Sequence, residues 1–407
     1  MKIAVIGGGP AGIFAAIFSK DSTNQVVLFE RNNNLGYKML ITGKGRCNLT
    51  NLSPVQDFMS NITTNPKFLY SALSKFSPSD TYNFFEENGL PLVVQRGNRV
   101  FPKTEKSLDV VKFLENYLKK MSVKICYNFK VNKIENVNNG FFINNNYEDR
   151  YDKVIMATGG LSYSKTGSDG LGFNIAKELG HKISVLRPGL VGIKTVIEKN
   201  FPVGLSLKNV KFVIEKKNKI LFSEIGELLF THIGLSGPLV IKASSIINKE
   251  DIKNLDAYID LKPGLTREKL DQRLLKDFQL NSNKMFKNSL DALLPKKLIP
   301  YIITKSKINL EKPINQLTKE ERINIIDLLK HLNFKLIELE SIDKAIITSG
   351  GVDIKYIDPR TMESKLIPNL FFAGEMIDVD AFTGGYNMQI AMSTGFLAGT
   401  SAKINGT

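Results

Sequence analysis

Lys2-Ile3-Ala4-Val5-Ile6-Gly7-Gly8-Gly9-Pro10-Ala11-Gly12 opens the chain, and the reading of this stretch decides the fold. Lys2 to Ile6 is a short apolar run of the kind that forms a buried strand. Gly7 to Gly12 satisfies G-x-G-x-x-G, a helical stretch runs from Ile13 to Phe18, and a second β-branched run, Gln25 to Phe29, ends in Glu30. Each part has a physical task. Gly7 allows a tight turn, Gly9 lets a pyrophosphate approach the backbone, and Gly12 lets helix and strand pack closely. Pro10 and Ala11, inside the motif, belong to the same expected site. The helix start offers unpaired N–H groups and partial positive charge to phosphates. Glu30 follows Gly12 by eighteen residues, where a carboxylate can accept both hydroxyls of an adenosine ribose. An acid there disfavours a 2′-phosphate, hence NADP at this site. The motif alone leaves FAD and NAD open.

The chain has 407 residues, 43% hydrophobic and 23% charged, enough for two or three domains around a large core. Two cysteines, Cys47 and Cys126, form no C-x-x-C pair, which excludes a disulfide framework and a cysteine-based zinc site. Three scattered histidines (His181, His232, His331) offer no metal centre, so no metal is expected. No apolar run reaches the length of a membrane span, and glycines and a proline cut the opening apolar run too early for a signal peptide. A cytoplasmic protein with no membrane contact is the expectation. The net charge of +15 could mark a nucleic-acid partner, and residues 262–338 hold 16 Lys and Arg against 9 Asp and Glu. No arginine-rich block occurs, and the Asn32–Asn34 and Asn144–Asn146 runs point to a Lys- and Asn-rich composition, so a solvated surface is the favoured reading over nucleic acid. The oligomeric state is not readable.

Beyond Glu30 the pattern continues with three helices: one around Phe68 to Phe76, one from Ser77-Pro78 to Gly89, and one through Leu108 to Met121. Short strands with a turn at Asn139-Gly140 fill 123–148, and a buried strand, Lys153 to Met156, runs into Ala157-Thr158-Gly159-Gly160. Residues 190–261 read as alternating strands and 266–332 as helices, with a capping box at Thr318 and Glu321. Strands resume at Phe334 to Leu339 and Ala345 to Thr348. The expected division is an FAD-binding domain over 1–188 and 351–407, an inserted β domain over 189–262 with return strands at 334–350, and a helical subdomain over 263–333. The fold class is therefore α/β, a Rossmann-like domain of the two-dinucleotide-binding type with an inserted β domain and a helical subdomain.

The far end of the chain separates FAD from NAD. Leu370 to Glu375 reads as a strand ending in a glycine and a carboxylate, and Thr383-Gly384-Gly385-Tyr386-Asn387 begins a helix. Glu375 can bind ribityl hydroxyls, and the Gly-Gly helix start can face the flavin edge that becomes anionic on reduction. NAD has neither feature.

Several blocks together resemble the HI0933-like flavoproteins, a group of NAD(P)/FAD-dependent oxidoreductases that includes aminoacetone oxidase-like FAD-binding enzymes. They are Gly7–Gly12, Thr42-Gly43-Lys44-Gly45-Arg46-Cys47-Asn48-Leu49-Thr50-Asn51, Arg99–Pro102, Ala157–Gly160, Thr166–Gly170, Phe230–Pro238 and Gly374–Gln389. Lys44 departs from the family, which has glycine there. The resemblance implies bound FAD, an FAD domain from both chain ends, a barrel-like insert and a helical part.

The expected cofactor site comprises Gly7, Gly9, Pro10, Ala11, Gly12, Glu30, Arg31, Lys38, Gly45, Arg46, Cys47, Asn48, Ala157, Thr158, Gly159, Gly374, Glu375, Gly385, Tyr386 and Asn387. Arg46 could pair with pyrophosphate or substrate, and Asn48 with a flavin heteroatom. Cys47 reads as a packed, inert thiol, and His232 could serve a substrate or a proton transfer. The expected activity is hydride transfer between a small-molecule substrate, or NAD(P)H as a transient reductant, and flavin N5. Two alternatives stand beside it: an NAD-dependent dehydrogenase using only the opening motif, and an RNA-associated flavoprotein whose basic helical part binds phosphates through Lys296, Lys297, Lys305 and Lys307.

Overall fold

The computed structural model describes residues 1–138 and 140–404. The chain forms two compact units, Met1–Pro188 with Ile342–Thr407, and Gly189–Ser341. In the first unit, β1 (Lys2–Ile6), β2 (Gln25–Phe29), β3 (Lys124–Cys126), β4 (Lys153–Met156) and β5 (Leu370–Phe372) form one sheet in the order β5-β4-β1-β2-β3. Every neighbouring pair is parallel. Continuous apolar runs form such strands because both faces are covered: Ala4, Val5, Val154, Ile155 and Phe372 are fully shielded from solvent.

Two helices follow the central and terminal strands. α1 (Pro10–Ser19) leaves β1, and after β5 comes α3 (Tyr386–Lys403), with the short α2 (Tyr37–Ile41) between them in sequence. α1 and α3 touch through small residues: a Cβ on Gly395 would stand 2.2 Å from the Ala11 carbonyl oxygen, and one on Gly399 2.5 Å from that of Ala15. Larger side chains would force the helices apart. An aromatic cluster of Phe14, Phe76, Phe84 and Phe396 packs around this contact. The two ends of the chain therefore meet on one sheet. The helix after Ser77 begins with the reciprocal Ser77–Asp80 cap, and the helix expected through Leu108 to Met121 runs Ser107–Lys120. Of the expected Asn139-Gly140 turn, Asn139 lies outside the described residues and Gly140 begins the strand Gly140–Ile143.

The second unit is a closed antiparallel barrel of six strands, in the order Ile193–Thr195, Gly234–Ser236, Lys219–Thr231, Ser206–Lys216, Asp256–Asp260 and Leu332–Leu339. Helices Arg267–Leu280, Ile299–Ser306 and Lys319–Lys330 share its apolar core, in which Phe230, Phe286, Tyr301, Leu329 and Phe334 belong to one cluster. The Thr318–Glu321 capping box is formed. One expectation fails here. Residues 190–261 are not all strands, because Pro238–Ile247 is a helix. Gly237 at φ +91° turns the chain, Pro238 starts the helix, and Leu239, Val240, Ala243 and Ile247 bury one face at helical spacing. A short apolar run reads equally as strand or buried helix, and here packing chose the helix. Among the described residues no helix is long and apolar enough to cross a membrane.

Candidate functional site

Because the strands of the first unit are parallel, their carboxyl ends share one edge, where open α/β sheets bind ligands. Gly7 ends β1 at φ +106°, and a Cβ there would lie 2.5 Å from the Ala157 carbonyl oxygen. A Cβ on Gly12 would lie 1.8 Å from the Gly7 carbonyl oxygen. Both positions admit glycine only. Gly9 is different: nothing stands within 4 Å of where its Cβ would be, so this side of the turn is open. Pro10 occupies the first helical position, where an N–H is not needed, and the N–H groups of Ala11 and Gly12 have no acceptor inside the helix. The turn can hold an anion.

Glu30, just past β2, is 6% exposed. Its Oε2 accepts the Gly8 N–H at 2.8 Å, and its Oε1 accepts the backbone and side-chain N–H groups of Asn32, each at 2.8 Å. Burial pushes this carboxyl above the usual carboxylate range, and those three donors work against the shift. One of its four lone pairs is left for a further donor. Arg31 turns away to pair with Asp169 at 2.5 Å and to donate to the Gly167 carbonyl at 3.1 Å. Burial alone would raise the Asp169 carboxyl, but the Arg31 guanidinium, the Leu171 N–H and the Lys130 charge together outweigh it and hold the group low.

At the end of β4, the Ala157 N–H donates to the Ile6 carbonyl at 2.9 Å, the Thr158 hydroxyl meets the Met376 sulfur at 3.3 Å, and Gly159 sits at φ +75°. Beyond β5, a Cβ on Gly374 would stand 2.6 Å from the Ala11 Cβ, and the Gly374 N–H donates to the Thr394 hydroxyl at 2.9 Å. The C-terminal segment thus abuts the opening turn. Glu375 pairs with Lys38 of α2 at 2.6 Å and also accepts from Ser162 and Thr348.

The loop 42–51 meets the start of α3. A Cβ on Gly385 would lie 2.4 Å from the Thr50 carbonyl oxygen and 3.0 Å from Asn48 Oδ1. That Oδ1 is buried and has no hydrogen-bond donor among the described residues. Gly45 is open, with nothing near its Cβ position. Lys44 stands exposed at φ +60°, a left-handed conformation that favours glycine. Arg46 lies over the Phe101 ring at 4.5 Å and reaches Glu105 at 3.4 Å. Cys47 is fully buried, and desolvation pushes its thiol up to about 12, which makes it unreactive. Tyr386 is 7% exposed and meets the Phe58 ring edge-on at 4.9 Å. Asn387 is spent on the loop before it: its Oδ1 accepts the Ala381 N–H at 2.9 Å, and its Nδ2 donates to the Ala381 carbonyl at 2.6 Å.

His232 belongs to the second unit, exposed on the turn between Lys219–Thr231 and Gly234–Ser236. Elsewhere in the second unit, between residues 275–282 and 314–322, lies an apolar cleft of about 180 Å³ whose one charged lining residue, Arg322, is bound to Asp271 at 2.6 Å. Three residues that the sequence did not assign to the site lie among its segments. Ser162 and Thr348 bind Glu375, and Asp380, 2% exposed, accepts from the Thr63 hydroxyl through Oδ1 while its buried Oδ2 has no donor among the described residues. Ser162 follows the Gly159-Gly160 turn, a usable signal; no local pattern marks Thr348. Among the described residues no cluster of His, Cys, Asp and Glu could hold a metal ion.

Residues 1–401 match the family described as the HI0933-like protein Rossmann domain. The chain belongs to this family. It is 31% identical, over 98% of both chains, to a 3-dehydro-bile acid delta(4,6)-reductase of Clostridium scindens. It is 29% identical, over 98% of this chain and 97% of the relative, to a ribosomal RNA dihydrouridine synthase of Haemophilus influenzae. The fold is similar to that of a 3-ketosteroid-delta4-(5alpha)-dehydrogenase of Rhodococcus jostii RHA1, with a TM-score of 0.53, 14% identity, and coverage of 99% and 96% of the two chains. As a member of the HI0933-like family the chain is an FAD-dependent oxidoreductase, and the NAD-only alternative falls away.

Proposed function

We propose that the first unit binds FAD along the carboxyl edge of its sheet and passes a hydride between flavin N5 and a small organic substrate, with NAD(P)H as the electron source. The observation that carries this reading is the buried Asn48 Oδ1 beside Gly385, which has no donor among the described residues and which a flavin ring N–H would satisfy. The open Gly9 turn against Gly374 fits the diphosphate of the same molecule. Bound FAD supplies the two-electron chemistry. The chain's residues do the rest. Ala11 and Gly12 N–H groups hold the diphosphate, Glu30 accepts a ribose hydroxyl, and Asn48 takes the ring N–H. The start of α3 at Gly385 and Tyr386 presents its positive end to the flavin edge. Asn387 and Arg46 act by fixing their own loops, through Ala381 and through Phe101 with Glu105.

Both kinds of relative carry names that describe saturation of a carbon–carbon double bond conjugated to a carbonyl: a 4,6-diene beside a 3-oxo group, and the uracil ring that becomes dihydrouridine. We therefore assign the substrate to conjugated enones or enamides. Purified protein should be yellow, with maxima near roughly 375 and 450 nm. NADH or NADPH should bleach it anaerobically, and an enone should restore the colour. Colourless protein that takes up no FAD defeats the proposal.

A second reading, in which the enone is a uridine within RNA, is favoured by one observation: Lys296, Lys297 and Lys307 are exposed and form no ion pair among the described residues, whereas Lys305 is spent on Glu198 at 2.8 Å. RNA binding should then weaken steeply with salt, and each of the first three lysines removed should lower the slope by roughly 0.7 to 0.9. Lys305→Ala should change it least.

A further inference from the structure

One buried side chain ties a cationic hairpin to the start of α3. The hairpin consists of the strands Leu92–Gln95 and Arg99–Pro102, joined by the turn Arg96-Gly97-Asn98. Asn51, 2% exposed, lies opposite Arg99 in the adjoining strand. Its Nδ2 donates at 3.0 Å to the Gly97 carbonyl in the turn and at 3.0 Å to the Gly384 carbonyl just before α3. Its Oδ1 accepts the Ser53 N–H at 3.0 Å, and the Leu52 N–H donates to the Asn98 carbonyl at 2.8 Å. Gly97 and Asn98 take φ of +77° and +58°, the left-handed backbone that lets three residues reverse the chain.

The hairpin carries charge that nothing neutralises. Residues 92–106 hold four Lys and Arg against one acid, Glu105. That acid is already taken by Arg46 at 3.4 Å and by the Gln95 amide at 2.5 Å. Arg96 and Lys103 are exposed, as is Lys44 in the adjoining loop, and neither these three nor Arg99 forms an ion pair among the described residues. Arg99 spends Nε on the Arg96 carbonyl at 3.0 Å, which orients its guanidinium and leaves both terminal nitrogens without a partner among the described residues. We infer that Lys44, Arg96, Arg99 and Lys103 form a rim that holds the phosphodiester backbone of single-stranded RNA, and that Asn51 positions this rim beside the flavin edge. The inference rests on the FAD and RNA readings above and places an RNA contact on the first unit, whereas Lys296, Lys297 and Lys307 belong to the second.

Three features select a polyanion. Arg99 to Lys103 covers four residues of extended chain, about 13 Å, further than one carboxylate or one phosphate can reach. The terminal nitrogens of Arg99 match two oxygens of a phosphate in a two-point contact. Val94 is the single large apolar side chain exposed over residues 92–106, too little to enter a membrane surface. A single strand also presents a splayed uracil to a flavin with no base pair to break.

The test is binding of poly(U) to the purified holoprotein across a range of salt concentrations, with uridine 5′-monophosphate as a single-phosphate competitor. Wild-type affinity should fall with salt, and Arg96→Gln, Arg99→Gln and Lys103→Gln should each make the log–log slope shallower by about 0.7, the value of one phosphate contact on a single strand. Arg99→Lys should keep the slope, because the charge remains, and bind more weakly, because the two-point contact is lost. Poly(U) should change the flavin absorption spectrum, and Asn51→Ala should remove that change while leaving the salt slope as it was. If Asn51→Ala does not fold, the three Gln variants decide. Slopes unchanged in all three, with Lys296→Ala, Lys297→Ala and Lys307→Ala each shallower, overturn the rim and leave the RNA reading intact. Uridine 5′-monophosphate that competes as well as poly(U), phosphate for phosphate, also overturns it, by showing a single-anion site. A wild-type protein that binds no poly(U) overturns the rim and the RNA reading together and leaves the FAD reading standing.

Discussion

Glu30 follows β2 and Glu375 follows β5 on the same edge of one parallel sheet, yet the chain secures the two carboxylates by different means. Two of Glu30's three donors are backbone N–H groups, those of Gly8 and Asn32, and the third is the Asn32 side chain. Glu375 takes its donors from Lys38, Ser162 and the Thr348 backbone, which lie 337, 213 and 27 residues away in sequence. A carboxylate held by backbone keeps its partners through almost any neighbouring substitution. One held by distant side chains is set by the tertiary fold, and a single substitution can disarm it.

Four measurements break or sharpen this contrast. The largest effect is expected from Gly12→Ala, which puts a methyl 1.8 Å from the Gly7 carbonyl oxygen. It should cost on the order of 3 kcal/mol or more in denaturant unfolding and release bound flavin, because the backbone of both turns must move. Next comes Lys38→Met, expected to cost about 2 kcal/mol by taking the charged donor from Glu375. Asn32→Ala should cost only about 1 kcal/mol, since the Asn32 and Gly8 backbone donors to Glu30 survive. Equal losses in these two variants would erase the distinction between backbone-held and side-chain-held carboxylates.

The third measurement concerns pH. The native state holds the Glu30 proton more tightly than the unfolded chain does, because burial raises its pKa. Its contribution to stability is therefore fully present below the ordinary Glu range, near about 4.3, and is lost as pH rises through the raised native value. Between about pH 4 and 7 the Tm difference between wild type and Glu30→Gln should shift against the wild type as pH rises. A shift in the opposite direction means that the three donors outweigh burial. The smallest effect belongs to Asp169→Asn, which removes the partner of Arg31. Both side chains are about a third exposed, so solvent screens the pair and the loss should stay within about 1 kcal/mol. What it does contribute should vanish as pH falls through the lowered Asp169 value.

Much of the sheet edge is legible in the amino-acid sequence. The glycine turn, Glu30 at the end of β2 and the Gly-Gly start of α3 announce themselves because each requirement is local: a turn that only glycine can make, an acid at a fixed distance, a helix start. Cys47, too, reads correctly as a packed thiol. Arg46 and Asn387 look like ligand-facing groups in sequence, but Arg46 is occupied by Glu105 and Phe101, and Asn387 by Ala381. The helix Pro238–Ile247 was hidden inside an apolar run because strand and buried helix share that composition.

The sequence by itself determined the βαβ opening, the convergence of both termini on one sheet, and the FAD-dependent class, since these depend on periodicity and on residues with unique backbone or chemical capacities. Only the tertiary structure decided which polar side chains are already satisfied and which still need a partner. Ser162 and Thr348 became visible as supports of Glu375, and Asn48 Oδ1 and Asp380 Oδ2 as buried acceptors with no donor among the described residues, only once segments hundreds of residues apart had been brought within hydrogen-bond distance. Hydrogen bonding is short-ranged and directional, so whether a group is satisfied is a property of its neighbours in space, which no spacing along the chain encodes.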